Sequence, residues 1–306
     1  MDKASEILEN FLNLYWVRPE TAIWRTLDVL QMKSIKFKKP ILDIGCGDGS
    51  FSFTNFGGKV DFNFDVYRTM KDTSGFFKGV DIHDQNKLVK PKIIKKVKKQ
   101  IDVGVDWKKN LLTKAKQFNT YDKLIEHDSN KKFPFKDEAF ETIFSNTFYW
   151  LNNIEKILNE SKRLVSINGK IVIFVPDKKF KDSLIYNQFI KDGYEWAKIL
   201  DRGIFNNIKH CYTFQKWKSI FSKTGLKIEH HSNYATERLT KIWSIGMRPY
   251  SPFIIEMANK LTLNERTKIK KRVISEIFPI LRSYLKYEES KVGKNNCFHM
   301  FVLTKE

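Results

Sequence analysis

The stretch Pro40-Ile-Leu-Asp-Ile-Gly-Cys-Gly-Asp-Gly49 decides the fold, because a short apolar run ends directly in alternating glycines. This combination is typical of a buried parallel strand that ends at a functional loop. Glycine lacks a Cβ atom and adopts positive φ angles, so the backbone of such a loop can approach a ligand closely. We therefore predict a first strand at residues 40–44, followed by a ligand-binding loop.

Apolar runs in the rest of the chain predict six further strands, with helical stretches at residues 108–118 and 153–164 between some of them. The strands are expected at residues 101–105, 123–126, 141–145, 170–175, 226–231 and 297–304. Alternation of strand and helix favours an α/β fold. The predicted fold is a doubly wound, mostly parallel seven-stranded sheet.

Segments outside this sheet predict an added helical region and three insertions. Residues 1–36 carry apolar groups at helical spacing, interrupted at Pro19, and predict an N-terminal helical extension of two helices. Residues 37–306 then form the main domain. We interpret the remaining segments, at about residues 51–100, 177–216 and 235–292, as helical lid insertions.

The chain is strongly basic, with 55 Lys plus Arg against 35 Asp plus Glu in 306 residues and a formal net charge of +20. Such a balance would supply phosphate contacts in a nucleic-acid-binding protein. Most of the cations are lysines in a chain also rich in Asn, Ile and Phe, and this residue bias raises the charge without a polyanionic partner. A nucleic-acid partner is therefore the weaker interpretation, and the lysine-rich tract at residues 87–99 is expected to be solvated surface.

Cysteine spacing and hydropathy exclude several other classes of protein. The three cysteines, Cys46, Cys211 and Cys297, lie far apart and predict neither a disulfide framework nor a metal site. No stretch approaches the roughly 20 apolar residues that a membrane-spanning helix needs. The chain opens with Asp2 and Glu6 instead of a cationic and apolar leader. We expect a cytoplasmic protein without a membrane span.

The glycine loop, with an acid two residues before its first glycine, resembles motif I of the class I, Rossmann-like S-adenosylmethionine-dependent methyltransferases. The resemblance runs from about Pro40 to Pro176 and is interrupted by the first insertion. It implies S-adenosyl-L-methionine as the cofactor. The loop residues that it implies in cofactor binding are Asp43, Gly45, Cys46, Gly47 and Gly49. A dinucleotide enzyme would instead show the spacing GxGxxG, so that alternative is disfavoured.

The ribose of the cofactor has two candidate carboxylates in the sequence. In this family an acid after the second strand accepts hydrogen bonds from both ribose hydroxyls, and a carboxylate has the two oxygens that a diol needs. Gly104-Val-Asp106 fits this position, with Trp107 as a neighbouring contact. Gly79-Val-Asp81 offers the same three residues. A helical stretch follows Asp106, as the family pattern expects, and favours Asp106 over Asp81.

Two later positions also resemble the family. His127-Asp128 follows the third strand, which implies that Asp128, with Ser129 beside it, contacts the adenine; the alternative is that Asp128 only caps a turn. The fourth strand ends at Ser145, which the resemblance places at the cofactor. Asn146 and Tyr149 follow it and are candidates for contact with the methyl acceptor.

The acceptor side is the least determined part of the sequence. Methyl transfer from a sulfonium is an in-line displacement, so positioning matters most and a base is needed only for some acceptors. His210 and Asp201 are candidate catalytic residues, and Arg202 and Arg248 are candidate substrate contacts. Both arginines lie in clusters that the family core does not explain. A third such cluster, Tyr15-Trp-Val-Arg-Pro-Glu20, is similar to the start of an uncharacterised group of these enzymes.

The sequence therefore predicts an S-adenosylmethionine-dependent methyltransferase that acts on a small or medium polar acceptor. Large insertions favour an enclosed acceptor, because a lid excludes water from a pocket and obstructs a duplex. We expect O-methylation of a sugar-like or other metabolite. Methylation of RNA or protein through the basic surface, and a non-catalytic binding module, are the alternatives. The oligomeric state is open.

Overall fold

Seven strands of the chain form one sheet in the computed structural model, which describes residues 2–70, 88–201, 208–246 and 250–306. The strands in chain order are β1 (Ile41–Ile44), β2 (Lys59–Val60), β3 (Ile93–Lys95), β4 (Ile101–Asp106), β5 (Tyr121–Glu126), β6 (Phe140–Ser145), β7 (Val165–Pro176), β8 (Leu226–Tyr234) and β9 (Phe298–Lys305). The main sheet has the order β5-β4-β1-β6-β7-β9-β8, and β2 and β3 form a separate antiparallel pair.

The predicted doubly wound, mostly parallel sheet is confirmed. The five strands from β5 to β7 pair in parallel, and β9 pairs antiparallel with both β7 and β8. The central β1 is buried along its whole length, with Ile41 facing one apolar cluster and Leu42 and Ile44 facing another. Burial on both faces explains why three of the four residues of β1 are apolar, with Asp43 as the exception.

Helices cover both faces of the sheet and fill the insertions. They are α1 (Lys3–Tyr15), α2 (Pro19–Gln31), α3 (Ser50–Asn55), α4 (Lys109–Lys116), α5 (Ile154–Leu164), α6 (Lys178–Ser183), α7 (Ile185–Lys191), α8 (Glu195–Asp201), α9 (Phe214–Lys223), α10 (Glu237–Ile245), α11 (Ser251–Lys260) and α12 (Leu263–Ser290). Two 3₁₀ turns occur in the described part of the chain, at Val66–Thr69 and Phe148–Trp150. The break expected at Pro19 is confirmed, because this proline begins α2, where its missing N–H costs no helical bond.

The two leading helices pack onto the sheet beside the glycine loop. Leu8 and Phe11 on α1 are fully buried in the same apolar cluster as Phe144 of β6. The ring of Phe11 stacks on Phe51, the second residue of α3, with 6.0 Å between the ring centroids. Because α3 directly follows the glycine loop, this packing brings the N-terminal helices next to the candidate site. The division of the chain at residue 36 stays a prediction.

All three insertions leave the sheet at the same edge. The first follows the carboxyl end of β1, the second follows β7 and the third follows β8. β8 runs in the same direction as β7, since both are antiparallel to β9. In open α/β sheets, ligands bind outside the carboxyl ends of the strands. The added helices are therefore attached where a ligand would bind.

A buried ion pair connects the first insertion to α12. Arg266 of α12 donates to Asp65 at 2.9 Å, and the two side chains are 5% and 1% exposed. Trp16 donates from its ring nitrogen to the same carboxylate at 3.0 Å. Lys270, one helical turn beyond Arg266, donates to two backbone carbonyls of the insertion. These bonds satisfy the buried charges, which would otherwise be costly to desolvate.

Candidate functional site

The glycine loop is held by the end of the neighbouring strand. The backbone N–H groups of Gly45 and Cys46 both donate to the carbonyl of Val105, at 2.8 and 3.0 Å. The three loop glycines have φ angles of +74°, +58° and +76°, in the region that L-residues with a Cβ rarely adopt. A Cβ atom on Gly45 would lie 2.0 Å from the hydroxyl of Thr147, so this glycine is required by the protein itself.

Gly47 differs from the other two glycines because its open side faces no atom of the described chain. A Cβ atom added there would meet nothing within 4 Å. Its N–H donates to Oδ2 of Asp106 at 3.0 Å. The loop amides of Gly45, Cys46 and Gly47 are thus all bonded within the protein. At Gly47 the loop offers a ligand open space and close approach to the backbone. The N–H groups of these three residues are not available as donors.

Asp106 lies at the carboxyl end of β4 and connects the loop to the next segment. Its Oδ1 accepts from the N–H of Lys108 at 2.9 Å, while Oδ2 accepts from Gly47. Burial raises the pKa of Asp106, against the effect of these backbone bonds. Trp107 beside it is 68% exposed. The predicted ribose position is therefore next to the glycine loop, whereas the rival Asp81 lies outside the described residues.

Asp43, an expected cofactor contact, is hydrogen-bonded within the protein, and its role in cofactor binding stays a prediction. The side chain is 2% exposed and lies beneath the loop. Its Oδ2 accepts hydrogen bonds from the hydroxyls of Ser52 at 2.6 Å and Tyr121 at 2.7 Å. Burial raises the pKa of Asp43 to about 6. Its position ties β1 to α3 and β5, so Asp43 supports the loop from the protein interior.

Ser145 is likewise bonded within the protein, and its expected contact with the cofactor stays a prediction. It is fully buried, and its hydroxyl donates to the carbonyl of Ile44 at 2.7 Å. The hydroxyl of Thr147 lies 3.2 Å from it and 3.3 Å from the same carbonyl. These bonds fasten the ends of β6 and β1 to each other. Asn146 and Tyr149 are half-buried beside them, as residues at the mouth of a site would be.

Asp128 and Ser129 lie on the far side of Asp106 from the glycine loop. The N–H of His127 donates to the backbone carbonyl of Asp106 at 3.0 Å, which sets this segment against β4. Asp128 accepts at Oδ1 from the backbone and side chain of Asn130, both at 2.9 Å. These bonds lower the pKa of Asp128. The carboxylate shapes a turn and remains half-exposed, so the turn and the adenine interpretations are compatible.

His210, the expected catalytic base, is buried between two loops, and its catalytic role stays a prediction. Its Nε2 lies 2.8 Å from the carbonyl of Leu151, and its Nδ1 lies 3.0 Å from the hydroxyl of Tyr212. A carbonyl only accepts, so Nε2 carries the proton and Nδ1 accepts from the tyrosine. The residue is 8% exposed, and burial lowers its pKa. Both ring nitrogens are engaged, and His210 connects two loops.

Three other sequence candidates fall beyond what the structure describes. Arg202 and Arg248 lie outside the described residues. Asp201 ends α8, and its side chain is outside the described part of the chain as well. Their expected roles stay predictions. Within the described ranges no group of three or more His, Cys, Asp or Glu side chains is arranged to hold a metal ion. The helices of those ranges include none with the length and apolar character needed to span a bilayer.

The structure adds three residues to the site that sequence reasoning did not assign. The hydroxyl of Tyr15 lies 3.1 Å from that of Ser50, the first residue after the glycine loop. The guanidinium carbon of Arg25 lies 5.3 Å from the ring centroid of Phe51. Arg18 follows Tyr15 in the turn between α1 and α2. The Tyr15–Glu20 cluster signalled two of these residues, and Arg25 had no signal in the sequence.

Comparison with known proteins identifies the core of the chain. Residues 93–173 match the family model of the methyltransferase domain, a span that covers β3 through most of β7 and begins after the glycine loop. No curated protein matches the chain.

Many solved structures are similar to it in fold. One is an S-adenosylmethionine-dependent methyltransferase from Thermotoga maritima, described as a possible histamine N-methyltransferase, with 12% identity, a TM-score of 0.49, and coverage of 99% of this chain and 100% of that one. The YcgJ protein from Bacillus subtilis has 11% identity, a TM-score of 0.43, and coverage of 92% and 98%. Geranyl diphosphate C-methyltransferase from Streptomyces coelicolor, solved with S-adenosyl-L-homocysteine, has 10% identity, a TM-score of 0.42, and coverage of 94% and 84%. These values are too low to carry an argument about the acceptor.

Proposed function

We propose that this chain, in which residues 93–173 match the methyltransferase domain model, is an S-adenosylmethionine-dependent enzyme that methylates a small or medium polar acceptor, by O-methylation of a sugar-like molecule or another metabolite. The observation that carries this proposal is the common origin of the three insertions. All of them leave the sheet at the carboxyl edge, where the glycine loop also lies. Helices added at that edge favour an enclosed pocket over an open surface for a polymer.

The loop suits this cofactor better than a dinucleotide. A pyrophosphate needs free backbone N–H donors, but those of Gly45, Cys46 and Gly47 already donate within the protein. A ligand with an ammonium and a sulfonium needs no such donors and is compatible with the nearby carboxylates of Asp106 and Asp48. S-adenosylmethionine supplies, when bound, a methyl group activated by the positive sulfur.

We assign roles to this chain's residues accordingly. The backbone from Gly45 to Gly49, with Cys46 and Gly47, forms the surface that the cofactor approaches, and Asp106 holds the ribose hydroxyls while it fixes Gly47. Trp107 covers the adenine side. Ser145 and Asp43 contribute indirectly, because they hold the ends of β1 and β6 and the base of α3 in place.

Asp128 and Ser129 define the far edge of the cofactor site. Asn146 and Tyr149 face the acceptor, since they follow β6 at the carboxyl edge and are half-buried. Asp201, Arg202 and Arg248 remain candidates for the same side. Both ring nitrogens of His210 are engaged in hydrogen bonds, so positioning of the acceptor is the main contribution that we assign to the protein, with His210 kept as a candidate base.

The proposal is tested by following labelled methyl groups. The purified protein is incubated with S-adenosylmethionine labelled in the methyl group and with a cell extract separated into small molecules, RNA and protein. We expect label in the small-molecule fraction only, and less label with a Gly47→Ala variant when S-adenosylmethionine is limiting. Label in RNA or protein would contradict the choice of acceptor class. A calorimetric titration with S-adenosyl-L-homocysteine, with NAD as control, checks the cofactor independently.

A further inference from the structure

Two arginines and three tyrosines lie together where the glycine loop ends and α3 begins. They are Arg18, Arg25, Tyr15, Tyr67 and Tyr149. The hydroxyl of Tyr15 contacts Ser50 there, and its ring packs edge-on against Tyr67 with 6.0 Å between centroids. Burial raises the pKa of Tyr15 to about 12, although the positive charges of Arg25 and Arg18 act in the opposite direction. The phenol is therefore neutral at physiological pH, and it lies between the loop and both guanidinium groups.

Arg18 has a hydrogen-bonding group that the described residues do not satisfy. Its Nε donates to Glu20 at 2.9 Å, and its side chain is 12% exposed. The Nη2 atom is buried and has no hydrogen-bond partner among the described residues. A buried charged donor without a partner is unfavourable, because it loses its water and gains no replacement hydrogen bond. A bound ligand is one way in which such a group is completed.

Arg25 has free surface in a region that is otherwise packed. Its Nη1 donates to Asp28 at 3.1 Å, and its side chain is 31% exposed, while Asp28 is 2% exposed. Trp24 and Thr26 on either side are buried. The guanidinium lies over Phe51, so its exposed part is next to the start of α3 and the glycine loop. Burial raises the pKa of Tyr149, an acceptor-side candidate, and the nearby positive charge of Arg25 opposes this rise.

The carboxylates near this cluster do not use up its donors. Glu20 receives one bond from Arg18, and Asp28 receives one from Arg25 and one from the hydroxyl of Tyr234 at 2.6 Å. Each carboxylate binds its arginine through one nitrogen. The guanidinium of Arg18 also hydrogen-bonds Tyr67, which leaves its Nη2 without a partner in the described chain, and Arg25 keeps further donors of its five-donor group. Asp48 is the remaining acid at the loop, and it accepts from the backbone and hydroxyl of Ser50.

We propose that Arg18 and Arg25, with the hydroxyl of Tyr15, form a binding site for an oxyanion, a carboxylate or phosphate group, beside the glycine loop. Guanidinium groups recognise these groups through paired, charge-assisted hydrogen bonds. The inference rests on the proposed function and deepens it. Two molecules in that reaction can supply the oxyanion: the cofactor, through the carboxylate of its methionine part, and the acceptor, through an acidic group.

The first experiment separates these sources by calorimetry on the full chain. S-adenosyl-L-homocysteine is titrated beside its decarboxylated form, which keeps the amine and lacks only the carboxylate. If the cofactor supplies the oxyanion, Arg25→Gln weakens the first ligand about ten- to a hundredfold and leaves the second unchanged, as expected for one charge-assisted hydrogen bond. If the acceptor supplies it, both ligands bind Arg25→Gln as tightly as they bind the wild type.

The second experiment probes the acceptor source by ligand-observed NMR. Protein saturated with S-adenosyl-L-homocysteine is titrated with acetate, with acetamide of the same shape, and with inorganic phosphate. We expect an anion to bind, acetamide not to bind, and Arg25→Gln to weaken the anion at least about tenfold. Preference between acetate and phosphate then identifies the acidic group.

Controls decide how each outcome counts. Arg272→Gln changes an exposed arginine of α12 that is paired only with Glu276 in the described chain, and it should alter no titration. Arg18→Gln is the companion variant. Because Arg18 is more buried than Arg25, the melting temperature of Arg18→Gln is measured first. If Arg18→Gln is unfolded, the test rests on Arg25→Gln alone.

Two outcomes would refute the oxyanion site. In the first, Arg25→Gln binds S-adenosyl-L-homocysteine as tightly as the wild type does, and neither acetate nor phosphate binds the saturated protein. In the second, acetamide binds as well as acetate. Failure of the wild type to bind either adenosine ligand would instead refute the proposed cofactor. In that case the anion titrations on the ligand-free protein still judge the oxyanion site.

Discussion

Replacing Gly47 by alanine should weaken cofactor binding while leaving the fold nearly intact. The added Cβ would meet no atom of the described protein within 4 Å. Its cost to stability is then the backbone conformation alone, since φ is +58°. For an L-residue this conformation costs about 1–2 kcal/mol, which lowers the melting temperature by about 2–5 °C in a chain of this size.

The effect on binding comes from the same open space. The Cβ atom would occupy the surface that the cofactor approaches, and one extra methyl group in a filled site costs about 1–3 kcal/mol. We expect S-adenosyl-L-homocysteine to bind about ten- to a hundredfold more weakly. The affinity for the cofactor therefore falls while the protein remains folded.

Gly45→Ala is the matched control, because the same substitution there clashes with the protein. Its Cβ would lie 2.0 Å from the hydroxyl of Thr147, in addition to the strain at φ +74°. We expect a total loss of about 2–5 kcal/mol in the free energy of unfolding. Thermal unfolding and calorimetric titration of both variants check the contrast. Wild-type affinity in Gly47→Ala would refute the assignment of the loop, and a larger loss of stability there than in Gly45→Ala would refute the geometry.

Other predictions concern carboxylates with defined partners. Asp106→Asn should weaken S-adenosyl-L-homocysteine about ten- to a hundredfold in calorimetry, and Asp81→Asn should not; the reverse ranking would move the ribose site. Asp43 has its folded pKa raised to about 6 by burial, so its neutral form is favoured in the fold. Asp43 therefore makes its full contribution to the free energy of unfolding below about pH 4. This contribution, of about 3 kcal/mol, is lost as the pH rises through 6. Asp43→Asn should remove this loss in unfolding curves recorded from pH 4 to 8, and an unchanged pH profile would contradict it. Arg266→Ala leaves Asp65 buried without its partner and should cost about 3–5 kcal/mol of stability in denaturant unfolding; a cost below about 1 kcal/mol, typical of exposed pairs, would show that the pair is not buried in solution.

The sheet was predictable because its strands are short apolar runs between turn signals. All seven main-sheet strands occur where the sequence predicts them, with β7 and β8 longer than expected. The small pair of β2 and β3 was missed, since β2 has only two residues and β3 lies within the lysine-rich tract. Local composition favours solvated surface there, and pairing between distant segments overrides it.

The loop backbone was predictable, but the direction of its side chains was not. A strand alternates its side chains between two faces, and the sequence does not show which face carries the ligand. Asp43 and Ser145 therefore matched the family pattern, and the sequence did not show that both side chains are buried. Arg25 was missed because a single arginine on a helix has no distinctive spacing. Its importance follows only from the packing of α2 beside α3.

The ion pair between Asp65 and Arg266 also constrains the order in which the chain can fold during synthesis. Its two residues are 201 positions apart. At about 5–20 residues per second, a ribosome needs at least ten seconds to add the segment between them. Throughout that time the first insertion lacks the cation that neutralises its buried carboxylate. The N-terminal third can therefore begin to collapse early, but it reaches its final packing only after α12 has emerged.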